Sequence, residues 1–390
     1  MNALKKIGNI ILIIFGIVLI LLCADLLTNK TLNKTYSGLN VTDRQAIEEI
    51  CTVINLFDKE DGNPDVWDKV YNPCETGCII IHDYAAARGY CYVINTTLPA
   101  NIFSQKIDMP DEYSDINVYR MAMVTPYLLK TFSPSFDEGH IDVNDTSLYA
   151  VKYDTSTVKY SGSGSLEESY VKNTFRDAAA TPDAPAAQSD IKFVINEENT
   201  ALTGLQYRII DELLETDDKN LADELLCEYV MVRDYQASKY PDFAKQQEKT
   251  ELVKGREQYV YYTVSKLTGN GYTYFDKEIS DRITFYSAYH YICTGSYGSD
   301  VGDYFDEEGG IYTGAALCEI MDKFDIADNW EKKLDNSTNA QFVSQYSLIK
   351  DYCKTKDYKD MTLNNIQRAY NYEEVLSMAR ALTKGNAGEK

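Results

Sequence analysis

From Ile7 to Ala24 the chain reads IGNIILIIFGIVLILLCA, about 18 residues without a charge and close to the length that crosses a bilayer core. The pattern then turns amphipathic. Ile47, Ile50, Cys51, Ile54 and Phe57 recur at helical spacing, and Thr42 with Gln45 forms a capping box, so a helix is predicted over Thr42 to Glu60. Residues 78–96, CIIIHDYAAARGYCYVINT, hold two β-rich runs around a break of small residues. Glu112 to Thr131 reads as helix, with Pro126 as its kink or end. Residues 140–160 alternate and break at Asn-Asp and Asp-Thr, like a meander.

A Gly/Ser joint (161–165) and an Ala/Pro loop (178–190) precede a mostly helical half. There Thr203 and Gln206 suggest a cap ahead of Leu205, Ile209, Ile210, Leu213 and Leu214. Further helices are predicted to about Ser238, from Phe243 to Leu267, and near 315–324, 339–352 and 362–383. Sheet followed by helices predicts an α+β chain with a small mixed or antiparallel sheet region over 41–165 and a mostly helical region over 166–390.

The apolar segment reads as an uncleaved anchor. A cleaved signal has an apolar core of about 7–15 residues ending at a small-x-small site. Here Leu22 stands two places before Ala24 and directly before Cys23, where a lipoprotein signal needs a small residue. Lys5 and Lys6 lie on its N-terminal side and Asp25 follows it. The positive-inside rule places 1–6 in the cytoplasm, 7–24 in the membrane, 25–40 as a juxtamembrane linker and the remainder outside.

Charge narrows the partners. The chain has 38 basic and 60 acidic residues; setting Lys5 and Lys6 aside leaves 36 against 60, a net charge near −24. Such a surface repels nucleic acid and anionic lipid headgroups. The 32 tyrosines suit two uses, half-buried positions with the hydroxyl in water or aromatic platforms for a glycan or peptide.

Of nine cysteines, Cys23 falls in the apolar segment. Dense spacing makes Cys51, Cys74, Cys78 and Cys91 the candidates for a disulfide in an exported domain, whereas Cys227, Cys293, Cys318 and Cys353 sit in apolar helical contexts that suit free buried thiols. The three histidines, His82, His140 and His290, form no HxxxH pair, and neither a nucleophile elbow nor a phosphate or dinucleotide loop is present. The acidic, glycine-rich loop at 295–310 lacks the ligand spacing of an EF-hand.

Two later phrases, KGREQYVYY (254–262) and IYTGAALCEIMDKFDIADNW (311–330), follow a sheet in that order. They resemble the helices of thermolysin-like (gluzincin) zinc peptidases that carry phrases like EGxAxYV and YxTGxAxxxxLD…W, and the likeness covers roughly residues 115–335. It places the metal helix near 170–178, where the chain reads YVKNTFRDA. Two histidines one helical turn apart bind one zinc, and the adjacent glutamate activates its water. At the matching positions stand Asn173, Thr174 and Asp177, and Lys254 replaces the third-ligand glutamate.

The resemblance thus implies a peptidase fold without its metal or any other cofactor. It also implies that Asn173, Asp177 and Lys254 lie near one another, with Lys254 ion-paired to Asp177. Read from the residues alone, 169–180 is equally an ordinary helix end. The function expected is a membrane-anchored extracellular binding protein on an inactive metallopeptidase-like scaffold, its ligand a peptide, glycan or protein. The alternative is an active cell-surface hydrolase of glycosidic or peptide bonds, using acidic residues that spacing does not identify.

Overall fold

The computed structural model describes residues 2–58, 64, 66–67, 71–84, 87–98, 101–122, 124–133, 135–158, 165–179, 191–270, 284–295, 301–356 and 361–388. Most of the Gly/Ser joint and of the Ala/Pro loop lies outside them. The architecture is α+β: an apolar N-terminal helix, a six-stranded mixed sheet, then a mostly helical half. Two compact units divide it. One comprises Met1–Asp65, Tyr71–Asp177 and Leu267–Asn270; the other comprises Val66–Val70, Ala178–Lys266 and Gly271–Lys390.

Helix α1 spans Asn2–Thr31. Its side chains Leu12, Ile13, Phe15 and Leu19–Leu22 are exposed, the reverse of a core helix, and fit a helix that meets lipid. Residues 25–31, within the expected linker, continue the helix and are gripped by the sheet unit. Buried Arg120 donates to the carbonyls of Asn29 (2.8 Å) and Asn33 (2.8 Å) and to Asn29 Oδ1 (2.9 Å). Its cation meets the negative end of the helix dipole and satisfies carbonyls that no further turn would reach. Lys30 Nζ reaches the carbonyls of Asn101 and Ser104 (both 2.9 Å), and Asp25 accepts from the Val124 amide (3.0 Å).

Helix α2 spans Val41–Phe57 and is capped by Asn40, which accepts from the Asp43 amide. The Thr42/Gln45 box therefore sits inside the helix rather than at its cap. The strands are β1 (Cys78–Tyr84), β2 (Ala87–Ile94), β3 (Ser104–Lys106), β4 (Val118–Met121), β5 (Glu138–Val143) and β6 (Thr146–Tyr153), in the order β3-β4-β2-β1-β6-β5. Among these strands β1 and β6 pair in parallel and the other neighbours pair antiparallel. Asn144 and Asp145, with φ of 49° and 63°, close the β5–β6 hairpin in the doubly positive geometry that matches strand twist.

Alternation then sorts the sheet's two faces. Ile79, Ile81, Cys91, Val93, Met121, Ile141 and Leu148 form one apolar layer. The opposite set, including His82, Tyr92, Arg120 and Tyr153, carries buried polar groups. The helix expected over Glu112–Thr131 is instead a 3-10 turn (Asp111–Tyr113), strand β4 and a 3-10 stretch from Pro126 to Phe132. All four β4 residues are buried, and a strand covered on both faces leaves no period-two signal. Helix α3 (Leu166–Ala178) completes this unit. Phe57, Tyr71 and Phe175 pack edge-on in series, at centroid separations of 5.3 and 5.7 Å.

The second unit contains α4 (Glu197–Glu215), α5 (Lys219–Lys239), α6 (Pro241–Thr250), α7 (Arg256–Thr268, its last residues grouped with the sheet), α8 (Phe285–Cys293) and α9 (Val301–Asp303). It continues with α10 (Gly309–Phe324), α11 (Trp330–Asp335), α12 (Gln345–Cys353), α13 (Leu363–Ala369) and α14 (Tyr372–Gly388). Helix α4 starts at an Asn196 cap, seven residues ahead of the expected Thr203. A π-turn, Glu251–Gly255, joins α6 to α7. There the two glycine-bearing phrases meet: a Cβ on Gly255 would stand 2.6 Å from Gly314 Cα, and one on Gly314 would stand 2.7 Å from Glu251 Cα. Only glycine allows that approach.

Candidate functional site

The expected metal-helix positions lie on α3, with Asn173 and Asp177 one turn apart. Asn173 Nδ2 donates to the Ser169 carbonyl (2.9 Å), and its Oδ1 accepts from Arg176 (3.1 Å). Thr174 is buried, hydrogen-bonded to Tyr71 at 3.1 Å and donating to the Tyr170 carbonyl at 2.9 Å. Asp177 pairs with His140 Nε2 of β5 at 2.8 Å, both side chains about 40% exposed. Lys254 falls in the helical unit, on the π-turn, and pairs there with Glu307. Asp177 and Lys254 thus each have a carboxylate or imidazole partner within their own unit. Among the described residues no three His, Cys, Asp or Glu side chains are placed to hold one metal ion.

Beside α3 the sheet unit opens into a cavity of about 290 Å³. Asp83 from β1, Asp137 and Glu138 at the start of β5, Lys152 from β6, Asp154 and Ser169 line it. Lys152 Nζ stands 3.6 Å from Asp83 Oδ2, and Glu138 accepts from the Tyr149 hydroxyl at 2.5 Å. Asp154 accepts from the Ser156 hydroxyl (2.5 Å) and from the amides of Ser156 (2.7 Å) and Thr157 (3.0 Å), which hold its pKa below the usual carboxylate value. Four carboxylates and one ammonium leave the cavity acidic.

Tyr153 connects the cavity wall to a buried polar cluster. Asp43, 1% exposed in the first turn of α2, accepts from the hydroxyls of Tyr153 (2.7 Å) and Tyr92 (2.6 Å) and from Asn40 Nδ2 (2.7 Å). His82 Nδ1 lies 2.5 Å from Asp43 Oδ1, and its ring packs on Tyr153 with centroids 4.9 Å apart. Burial, and then the Asp43 charge, push the Tyr92 and Tyr153 phenols well above their usual pKa, which keeps both as donors.

A second carboxyl pair sits elsewhere in this unit. Glu167 accepts from Thr268 Oγ1 (2.8 Å) and from Asn270, and its backbone amide donates to Glu49. Burial and the Glu167 charge push Glu49 up to about 8. Thr268 also borders a smaller cavity, about 190 Å³, with Thr52 and Asn55.

No sulfur–sulfur bond joins any of the nine cysteines in this structure. Cys51, Cys78 and Cys91 are buried, and Cys74 donates to the Ile54 carbonyl at 2.9 Å. Burial raises the thiols of Cys51 and Cys78, and that of Cys74 to about 12, so thiolate is scarce at these sites.

Sequence reasoning did not single out Asp43, Tyr92, Tyr153 or Glu49. An acid in a helix's first turn and tyrosines in strands are ordinary features one by one, and only the sheet order joins them. Searches of protein-family models, curated proteins and solved structures returned no match for this chain.

Proposed function

We propose that the chain is a single-pass membrane protein whose residues beyond α1 face outward and act as a binding module, on a metallopeptidase-like scaffold that has lost its metal ligands. One observation carries the anchored reading: α1 exposes its apolar side chains while its C-terminal turn is locked to the sheet unit by Arg120. Lys5 and Lys6 before the apolar run give the orientation. Protease added to intact cells is expected to remove the bulk of the protein. Full protection, or a mature N-terminus beyond residue 20, counts against the reading.

The cavity beside α3 is where a ligand would sit, and its carboxylates favour an extracellular peptide rich in lysine or arginine. Binding of a labelled Lys/Arg-rich peptide to the full chain in detergent should weaken about tenfold on Asp83→Asn with Asp154→Asn, and weaken further as salt rises. Equal binding by both proteins would remove the cavity as the site. A second reading draws on the same geometry, since Asp83, Asp137, Glu138 and Asp154 share one cavity: a hydrolase using a carboxylate pair. Turnover of a glycoside or peptide substrate that disappears in the same variant would select it.

A further inference from the structure

Helices α5 and α12 are pinned together at two points by charge-assisted hydrogen bonds. Asp223 on α5 accepts from the Tyr352 hydroxyl (2.6 Å) in the last turn of α12 and from the Lys356 ammonium (2.5 Å) just beyond it. Asp234, three turns further along α5, accepts from the Tyr346 hydroxyl (2.6 Å) and Lys350 (2.5 Å) near the start of α12. Rising numbers on one helix meet falling numbers on the other, so the two run antiparallel and their register is fixed. Cys227 lies one turn after Asp223, and Cys353 lies between Tyr352 and Lys356.

That register sets the Cys227 and Cys353 side chains against each other across the α5–α12 seam. Cys353 is partly exposed, whereas Cys227 is buried.

We infer that Cys227 and Cys353 are a disulfide site, closed by thiol–disulfide exchange with an external disulfide oxidant. The inference rests on the outward orientation proposed above only for its occurrence in cells, because disulfides persist where the medium is oxidising. In the first step Cys353, the more accessible of the two, loses its proton to solvent at alkaline pH and attacks one sulfur of the oxidant's disulfide, forming a mixed disulfide and expelling the other sulfur as thiolate. The Cys227 thiolate then attacks the Cys353 sulfur, and the second oxidant thiolate leaves. Two protein thiols are oxidised, one external disulfide is reduced to two thiols, and the two thiol protons end on them or in solvent. The bridge closes a loop of about 126 residues, which limits the unfolded chain far more than the folded one.

The site differs from the set that sequence spacing favours. Cys51, Cys78 and Cys91 are buried with the sheet, and Cys74 is turned to a backbone carbonyl. Helical context alone reads Cys227 as a buried free thiol. The partner appears only when α12 is laid on α5.

The test uses the purified full chain in detergent, incubated at pH 8 with oxidised glutathione, then denatured, alkylated and peptide-mapped without reduction. A peptide pair joined through Cys227 and Cys353 is expected, with Cys51, Cys78 and Cys91 alkylated. The unfolding midpoint of the oxidised protein should rise by about 5–15 °C, and reduction should reverse it. Cys227→Ser should leave Cys353 holding a glutathionyl adduct with no thiol to resolve it. Nine free thiols after oxidation, or bridges that leave 227 and 353 free, overturn the site. A second arm alkylates intact cells before lysis and maps the same peptides. A bridge found there supports both the site and the outward orientation. Free thiols there, beside a bridge formed with glutathione, uphold the pairing and overturn the orientation.

Discussion

Arg233→Met is expected to destabilise the helical unit by about 3–5 kcal/mol, because it strands a carboxylate in the protein interior. Glu251 is fully buried and its two oxygens accept from Arg233 NH1 and NH2 at 2.7 and 2.6 Å. Thr313 adds a third donor at 3.1 Å, and the Arg233 guanidinium also donates to Tyr229 and lies 4.4 Å from the Tyr346 ring centroid. Burial works against the arginine's charge, and the Glu251 carboxylate outweighs it, so the Arg233 pKa is raised. Glu251→Gln should be similarly harmful, since it leaves the cation without its counter-charge. The double variant Arg233→Met, Glu251→Met should recover much of the loss, because a buried ion pair itself contributes little relative to apolar packing of similar volume. Urea unfolding of the full chain in detergent measures all three. Additive single losses in the double variant would mean that the two side chains act independently.

This pair also marks where sequence reading stops. Glu251 falls in KTELVKG, a stretch that reads as one continuous helix, and the π-turn there leaves no periodic signature. Local patterns did convey much of the fold. The uncharged run gives α1, the Ile/Cys stripe gives α2, and the β-rich runs around a small-residue break give β1 and β2. Errors fell where tertiary contacts override local preference. Val118–Met121 is a strand because β2 and β3 hydrogen-bond to its two edges, not because its residues alternate. The Thr203 cap was misplaced because Asn196 caps α4 further upstream, leaving Thr203 buried inside the helix.

The candidate site was less legible for a related reason. Asp83, Asp137, Glu138 and Asp154 come from three stretches of chain, and sheet order alone brings them to one cavity. The tyrosines make the same point. Tyr92, Tyr153, Tyr170, Tyr229 and Tyr289 are fully buried, each with its hydroxyl hydrogen-bonded or held against a charged neighbour. They are polar core residues more than half-exposed ones, and composition does not distinguish those uses.

Stability should fall as pH rises from about 4.5 to about 8, and Glu49 is the residue that makes it do so. In the folded chain Glu49 is pushed up to about 8 by burial first and by the Glu167 carboxylate second, against an ordinary value of 4.5. Its Oε2 has no hydrogen-bond partner among the described residues. The folded state therefore holds a proton that the unfolded chain has released over this window. A raised folded pKa contributes stability that is fully present below the unfolded value and is lost as pH climbs through the folded one. Each tenfold change in proton affinity is about 1.4 kcal/mol, which sets an upper bound near 5 kcal/mol. Partial solvent access brings the expected loss to roughly 2–3 kcal/mol. Burial raises the Glu167 carboxyl as well, against the bonds from Thr268 and Asn270, so its proton contributes to stability in the same direction. Glu49→Gln mimics the protonated acid. It should flatten the stability profile over this window and leave the variant more stable than wild type at pH 9. Unfolding free energies of both full-length proteins, taken at intervals from pH 5 to 9, decide the matter. Parallel profiles would show that Glu49 ionises freely in the folded chain and that burial does not hold its proton.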